Sequence, residues 1–210
     1  MTGGRLVTGL SLLLLGGGGA LAQRIEIGPI VGGLINGGVD YTTANYTRAD
    51  IGNGFTYGFT AGYSLSSSVQ VEFEWSRATT DLLGTPKAGG ANTKVFALNT
   101  GHYFGNFVFH LRGHEERLRP FLLVGAGGTR FAPDAPNTTS FTRPSFGFGG
   151  GAKYNIAKRV NFRAQLRWLP VNMYTSGTNT WCGPVTGCWS MGHSHYLHSV
   201  EIMTGLGFRF

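Results

Sequence analysis

The residues best equipped for chemistry gather near the C-terminal end. His193, His195 and His198 lie close to Ser199 and Glu201, with Cys182 and Cys188 a little upstream. Grouped histidines can ligate a metal, and a Ser, a His and a Glu can form a nucleophilic set. Both readings meet one obstacle if the segment is extended. Successive side chains of a strand point to opposite faces, so His193 and His195 share a face that His198 does not, and His198 and Ser199 point apart. No cysteine or carboxylate stands at zinc-site spacing from the histidines. The sequence therefore predicts no catalytic residue, no metal site and no cofactor. The glycine-rich runs at 125–128 and 147–151 read as strand positions that need small residues, not as a loop that cradles phosphate.

Cys182 and Cys188 suit another role. Gly183, Pro184 and Gly187 let the chain between them turn back, so a local disulfide is predicted, flanked by Trp181 and Trp189. Closing so short a loop shapes its tip more than it stabilises a fold. The ionic side chains form a second group. Glu26, Glu72, Glu74 and Glu201 fall on the small or polar faces of their segments, as do Lys153, Arg163, Arg167 and Arg209.

What positions these residues is a series of segments with period two. Strands are predicted at 24–33, 55–65, 69–77, within 93–111, and at 120–131, 144–156, 160–169 and 198–210. In the third, Val69, Val71, Phe73 and Trp75 alternate with Gln70, Glu72, Glu74 and Ser76. In the last, Val200, Ile202, Leu206, Phe208 and Phe210 alternate with Ser199, Glu201, Gly207 and Arg209. The fourth loses its parity near His102 to Gly105, which a bulge would explain. Short connections at 66–68 and 157–159 and a charged turn at 112–119 alternate with long polar ones at 34–53, 78–92, 132–143 and 170–195.

Composition narrows the class. The chain has 35 glycines and 13% aromatic residues, while charged residues also make up only 13%, about half the usual ~25%. Met1 to Val7 carries only Arg5, Leu10 to Leu15 is a short apolar core, and Ala20-Leu21-Ala22 is a small-x-small cleavage site. Residues 1–22 therefore read as a signal peptide, with 23–210 as one exported domain. Export places the cysteines in an oxidising compartment. Beyond that leader no run approaches the roughly 18 apolar residues of a membrane helix. The net charge of +7, less the one charge of Arg5, points to no nucleic-acid partner in an exported protein.

Eight strands with alternating long and short connections, and a last strand ending in Phe, resemble the OmpA-like family of small outer-membrane β-barrels. RPFLLVGAGGTRF at 119–131, FGFGGGAKYNIAKRVNFRAQLRW at 146–168 and the terminal GLGFRF carry the likeness. It implies an all-β, eight-stranded antiparallel up-and-down transmembrane barrel in the bacterial outer membrane. Both termini would be periplasmic, and Phe208 and Phe210 would serve as a signal to the barrel assembly machinery. The peptidoglycan-binding domain of full-length OmpA-type proteins is not expected. In such a barrel the small or charged face turns inward. Glu26, Glu72, Glu74 and Glu201 are then predicted to pair with Lys153, Arg163, Arg167 and Arg209 across the lumen, and Tyr57, Tyr63, Trp75, Tyr154, Trp168 and Phe210 to form interfacial girdles. The expected role is a structural or surface-interaction barrel, probing outer-membrane lipid and lipopolysaccharide as a monomer through Arg48, Arg77, Lys87, Lys94, Arg130 and Arg143. The alternatives are a narrow solute or ion pore, or a lipid A-modifying enzyme of the deacylase type, whose His-x-Ser spacing this sequence lacks.

Overall fold

The computed structural model describes residues 24–39, 46–113, 116–134, 138–173, 180–183, 187–190 and 196–210. The predicted signal peptide, the start at Gln23, and His193 and His195 lie outside the described residues. Twelve strands follow in chain order: β1 (Ile25–Asn36), β2 (Gly38–Val39), β3 (Tyr46–Ile51), β4 (Gly54–Ser64), β5 (Val69–Pro86), β6 (Thr93–His110), β7 (Leu118–Asp134), β8 (Phe141–Ala157), β9 (Val160–Asn172), β10 (Thr180–Gly183), β11 (Gly187–Ser190) and β12 (Tyr196–Arg209). No helix occurs among the described residues.

Eight of these strands close into an antiparallel barrel in the order β1, β4, β5, β6, β7, β8, β9, β12 and back to β1. The seam pairs the first strand with the last, with Glu26 opposite Arg209 and Asn36 opposite Ser199. Beyond β12, the backbone N–H of Phe210 donates to the carbonyl of Ile25 at 2.9 Å. Closure leaves no free edge, which the hydrocarbon of a membrane would not tolerate.

Side chains alternate between lipid side and lumen along most of the barrel wall. On β1, Ile25, Ile27, Val31 and Ile35 are exposed, while Glu26, Ile30 and Leu34 are buried. On β12, Ile202, Leu206 and Phe208 point outward and Ser199, Glu201, Met203 and Arg209 inward. Phe121 to Val124, which hides its period in the sequence, resolves into inward Phe121 and Leu123 and outward Leu122 and Val124. Tyr57, Trp75 and Trp168 lie toward the long connections, whereas Tyr63, Tyr154 and Phe210 lie toward the short turns.

The structure corrects several boundaries. The stretch 34–53, predicted as a polar connection, continues β1 to Asn36 and contains β2 and β3, which pair with each other and prolong the wall beside the far end of β5. Asn36 holds the break: its side chain donates to the carbonyl of Gly52 at 3.0 Å, and its backbone N–H donates to Asn53 Oδ1 at 3.2 Å. β5 runs nine residues past the predicted Arg77, because Thr79, Asp81 and Leu83 keep the outward parity of Trp75 while Ala78, Thr80 and Leu82 keep the inward one. No bulge lies at His102 to Gly105, where the register with β5 and β7 is continuous. The register shift falls instead between Leu82 and Leu83, opposite Phe96 and Lys94. The sequence looked irregular because inward Phe104 and Val108 are as apolar as outward Tyr103 and Phe107. β7 and β8 also begin two and three residues earlier than predicted, at Leu118 and Phe141.

The narrow wall explains the glycines. A Cβ at Gly151 would stand 2.1 Å from the carbonyl oxygen of Ala164 and 2.9 Å from the ring of Phe121. Both neighbours are fixed, one by the backbone and one by packing in the lumen. Gly151→Val should therefore abolish most refolding in detergent, read as loss of the heat-dependent gel shift. Gly113→Val, where an added Cβ meets nothing within 4 Å, should refold like wild type. Equal folded fractions would show that the wall accepts a side chain at Gly151.

Candidate functional site

The barrel interior holds the densest chemistry of the described residues. Inward parity alone delivers Glu26 from β1, Glu72 and Glu74 from β5, Lys153 from β8, Arg163 and Arg167 from β9, and Glu201 and Arg209 from β12. All eight are at most 7% exposed. Strands β5 and β9 face each other across the barrel, so long side chains span the lumen.

Near the short turns, Glu26 collects the cations. Its Oε1 lies 2.5 Å from Lys153 Nζ, and its Oε2 accepts from Arg209 Nε at 3.1 Å and from Asn161 Nδ2 at 2.9 Å. Lys153 also donates to Gln70 Oε1 at 3.0 Å, and Arg209 to Asn155 Oδ1 at 2.7 Å. In the middle, Arg163 grips Glu72 with two parallel hydrogen bonds of 2.5 and 2.9 Å, and its Nε donates to Gln165 Oε1 at 2.7 Å. Such a fork is the strongest carboxylate contact a side chain offers. Its guanidinium lies 5.0 Å over the ring of Phe121.

Toward the long connections one cation serves two acids. Arg167 Nε donates to Glu201 Oε2 at 3.1 Å, Nη2 contacts the same oxygen, and Nη2 lies 2.8 Å from Glu74 Oε1. That last contact is ionic without hydrogen-bond alignment. Ser76 Oγ donates to Glu201 Oε1 at 3.1 Å, while Glu74 Oε2 accepts from Asn106 at 3.3 Å and Gln165 at 3.4 Å. Phe104 lies 4.6 Å beneath the Arg167 guanidinium.

Above these charges the lumen turns apolar, which the sequence reading did not foresee. Leu34, Ala78, Phe104 and Leu169 form one buried cluster. Ile51, Leu82, Phe96, Leu98, Phe131, Val171, Met173 and Leu197 form a second. The signal was present as inward parity carried past the predicted strand ends.

Two further cations also belong to the interior. Arg119, predicted in a turn, is 1% exposed and donates from Nη2 to the carbonyl of Ser67 at 3.2 Å. Arg143, predicted to face lipopolysaccharide, has the inward parity of Ser145 and lies half-buried, 5.1 Å over the ring of Phe141. Starting β7 at Leu118 and β8 at Phe141 carries each parity through these residues. Among the described residues, six cationic side chains thus face four acidic ones, in place of the predicted four against four.

The C-terminal Ser, His and Glu separate as strand geometry requires. Ser199 is buried and donates to Asn36 Oδ1 at 2.7 Å, whereas His198 stacks outward on Trp168 with ring centroids 5.5 Å apart. A different set meets inside the lumen. His102 Nδ1 lies 3.0 Å from Thr129 Oγ1, which accepts from Ser145 Oγ at 2.7 Å, while His102 Nε2 is 3.8 Å from Glu201. Thr129, Ser145, His102 and Glu201 are each at most 1% exposed. Among the described residues, no three His, Cys, Asp or Glu side chains could hold a metal ion. The two cysteines stand opposite each other in the register of β10 and β11, as do Trp181 and Trp189.

The family model for the outer membrane protein beta-barrel domain matches residues 8–181. No curated protein sequence matches the chain. Among solved structures, Neisserial surface protein A superposes with a TM-score of 0.60 at 13% identity over 90% of this chain and 99% of that one. The outer membrane protein OprG of Pseudomonas aeruginosa gives 0.61 at 11% identity, over 90% and 97%. The outer membrane protein AlkL, solved in lipid bilayers by solid-state NMR, gives 0.56 at 16%, over 100% and 97%.

Removing one partner from a dry ion pair strands the other, at about 3–5 kcal/mol. Arg163→Ala should lower stability by about that amount in urea unfolding from lipid, whereas Arg112→Ala on an exposed turn should change it by less than ~0.5 kcal/mol. The double variant Arg163→Met with Glu72→Met should recover most of the loss, since an apolar pair leaves no uncompensated charge. Coincident midpoints for Arg163→Ala and Arg112→Ala would remove the pair from any structural role.

Proposed function

We propose that this chain, which belongs to the outer membrane protein beta-barrel domain family, is a structural or surface-interaction barrel whose lumen stays closed. It is a bacterial outer-membrane protein of the OmpA-like kind. One observation carries the closed reading: Arg167, fully buried, touches Glu74 of β5 and Glu201 of β12 at once and so ties the strands on opposite sides of the lumen. The apolar clusters beyond it offer a permeating ion no ligand. An eight-stranded barrel has an interior just wide enough for its own side chains.

The rival readings require specific rearrangements. A pore needs Arg167 to leave two carboxylates that would then face each other unpaired. A lipid A-modifying enzyme needs a nucleophile beside a base on the lipid side, but His198 and Ser199 lie on opposite faces of the wall. The lumenal Thr129, His102 and Glu201 have the order of a nucleophile, base and acid, yet no substrate reaches side chains so buried. We assign the chain no catalytic role on these grounds.

Export and register together favour a Cys182–Cys188 disulfide. Opposite residues of an antiparallel pair have Cα atoms about 4.5–5.5 Å apart, inside the span of roughly 4.4–6.8 Å that a disulfide bridges. Mass spectrometry of the non-reduced protein should find the two cysteines in one linked fragment, and two free thiols would refute it.

Wild-type protein in planar bilayers should show no discrete conductance steps and, in parallel, no turnover of lipid A. Arg167→Ala should introduce conductance, because it removes the cation that holds Glu74 and Glu201 together. Steps in the wild type would establish the pore. Product formation from lipid A would establish the enzyme.

A further inference from the structure

The outer wall carries a notch that the lumen does not explain. At one level of the sheet, Tyr57 of β4, Arg77 of β5, Gly101 of β6, Arg130 of β7 and Thr142 of β8 stand side by side in register. Arg77 and Arg130 are both exposed on the lipid-facing parity, and Gly101 is the residue between them. With strands about 4.8 Å apart, the two arginine backbones lie only about 10 Å from each other. The missing side chain opens a cleft of about 270 Å³, bounded by Trp75, Asn99, Tyr103 and both arginines.

The chemistry around this cleft is one-sided. No carboxylate among the described residues pairs with Arg77 or Arg130. Asp81, farther along the same face of β5, is taken by Lys94 at 2.6 Å. Arg130 donates from Nη2 to Ser140 Oγ at 3.0 Å, which fixes the guanidinium beside the cleft and leaves its other N–H groups available. Two like charges about 10 Å apart on one face repel, so arginines flanking a glycine call for an anion between them. Their depth selects which anion. Trp75 and Tyr103 lie one step closer to the barrel middle, and Tyr57 packs edge-on against Trp75 at 6.3 Å. Aromatic residues of this kind mark the interface of the membrane. The arginines therefore sit at headgroup level on the side of the long connections, which in outer-membrane barrels is the extracellular side.

We propose that the Arg77–Gly101–Arg130 notch binds a phosphate of lipid A, the phosphorylated glycolipid of the outer leaflet. Each guanidinium offers a planar fork to phosphate oxygens. The Trp75 and Tyr103 rings beneath would pack against the sugar or the first methylenes of the acyl chains. The site goes beyond a closed structural barrel and is independent of it, since conductance reports on the lumen and lipid retention on the wall.

The test is titration of the refolded protein in detergent with bisphosphorylated lipid A, read by native mass spectrometry. The double variant R77Q/R130Q should bind about tenfold or more weakly. Gly101→Leu isolates the notch, because it keeps every charge. An added Cβ there meets only the Tyr103 ring at 3.7 Å and its hydroxyl at 3.9 Å, so the fold accepts it. It should weaken binding to a similar degree, whereas Arg159→Gln on the opposite rim should not. Lipid A stripped of phosphate should bind wild type no better than it binds the double variant. Wild-type affinity in Gly101→Leu would replace the site with diffuse surface charge and overturn the proposal. So would inorganic phosphate or phosphatidylglycerol competing as effectively as lipid A. The heat-dependent gel shift confirms that each variant is folded before it is titrated.

Discussion

The governing constraint is that a closed sheet of eight strands encloses too little space to hydrate the charges it buries. Each ionised group on the inner face exchanges water for whatever its neighbours supply, and an unpaired one costs several kcal/mol. Glu72 and Arg163 satisfy this with a two-point fork, and Glu26 satisfies it by gathering Lys153, Arg209 and Asn161. The balance is local rather than total, since six cations face four acids among the described residues. Glu74 and Glu201 share Arg167, while Ser76, Asn106 and Gln165 donate to the lone pairs that the guanidinium leaves.

The same lack of space sets the wall. Strands that curve tightly bring a neighbouring backbone where a Cβ would lie, so inner positions such as Gly151 become glycine. At Gly101 the reason differs: the outward face is open, and the missing side chain leaves a recess between two arginines. One residue type thus answers a steric demand inside and leaves a recess outside. Only the surroundings separate the two cases.

Much of this was legible in the residues. Period two assigned all eight ion-pair residues to the lumen, because a charge on the inner parity among apolar outer neighbours admits no other placement in lipid. It failed where the two faces have similar polarity. Phe104 and Val108 are inward yet apolar, which made β6 look irregular, and Phe121 beside Leu122 gave no alternation. It failed again at strand ends, where Arg119 and Arg143 were assigned to connections because a cation near Pro or Gly reads as loop. The partner of Lys153 was beyond the pattern, since it selects Glu26 on β1 by barrel closure and not by sequence distance. Two lipid-facing arginines and the glycine between them leave no periodic mark at all, because the three residues come from three different strands.

The ion pairs also answer a question that hydrophobic alternation leaves open. A slip of one residue turns every side chain to the wrong face and is excluded by burial. A slip of two residues preserves the alternation and would pass that test. The seam between β1 and β12 forms only when both ends of the barrel sheet meet, and there Glu26 stands opposite Arg209 while Lys153 and Asn161 reach it from β8 and β9. Moving β12 by two residues in the direction that sets Gly207 against Glu26 draws Arg209 away and leaves Glu26 without one of its cations. Buried charges are better attested as devices for register than as sources of stability. In this barrel the lumenal network discriminates among the closures that its apolar outer surface would accept equally.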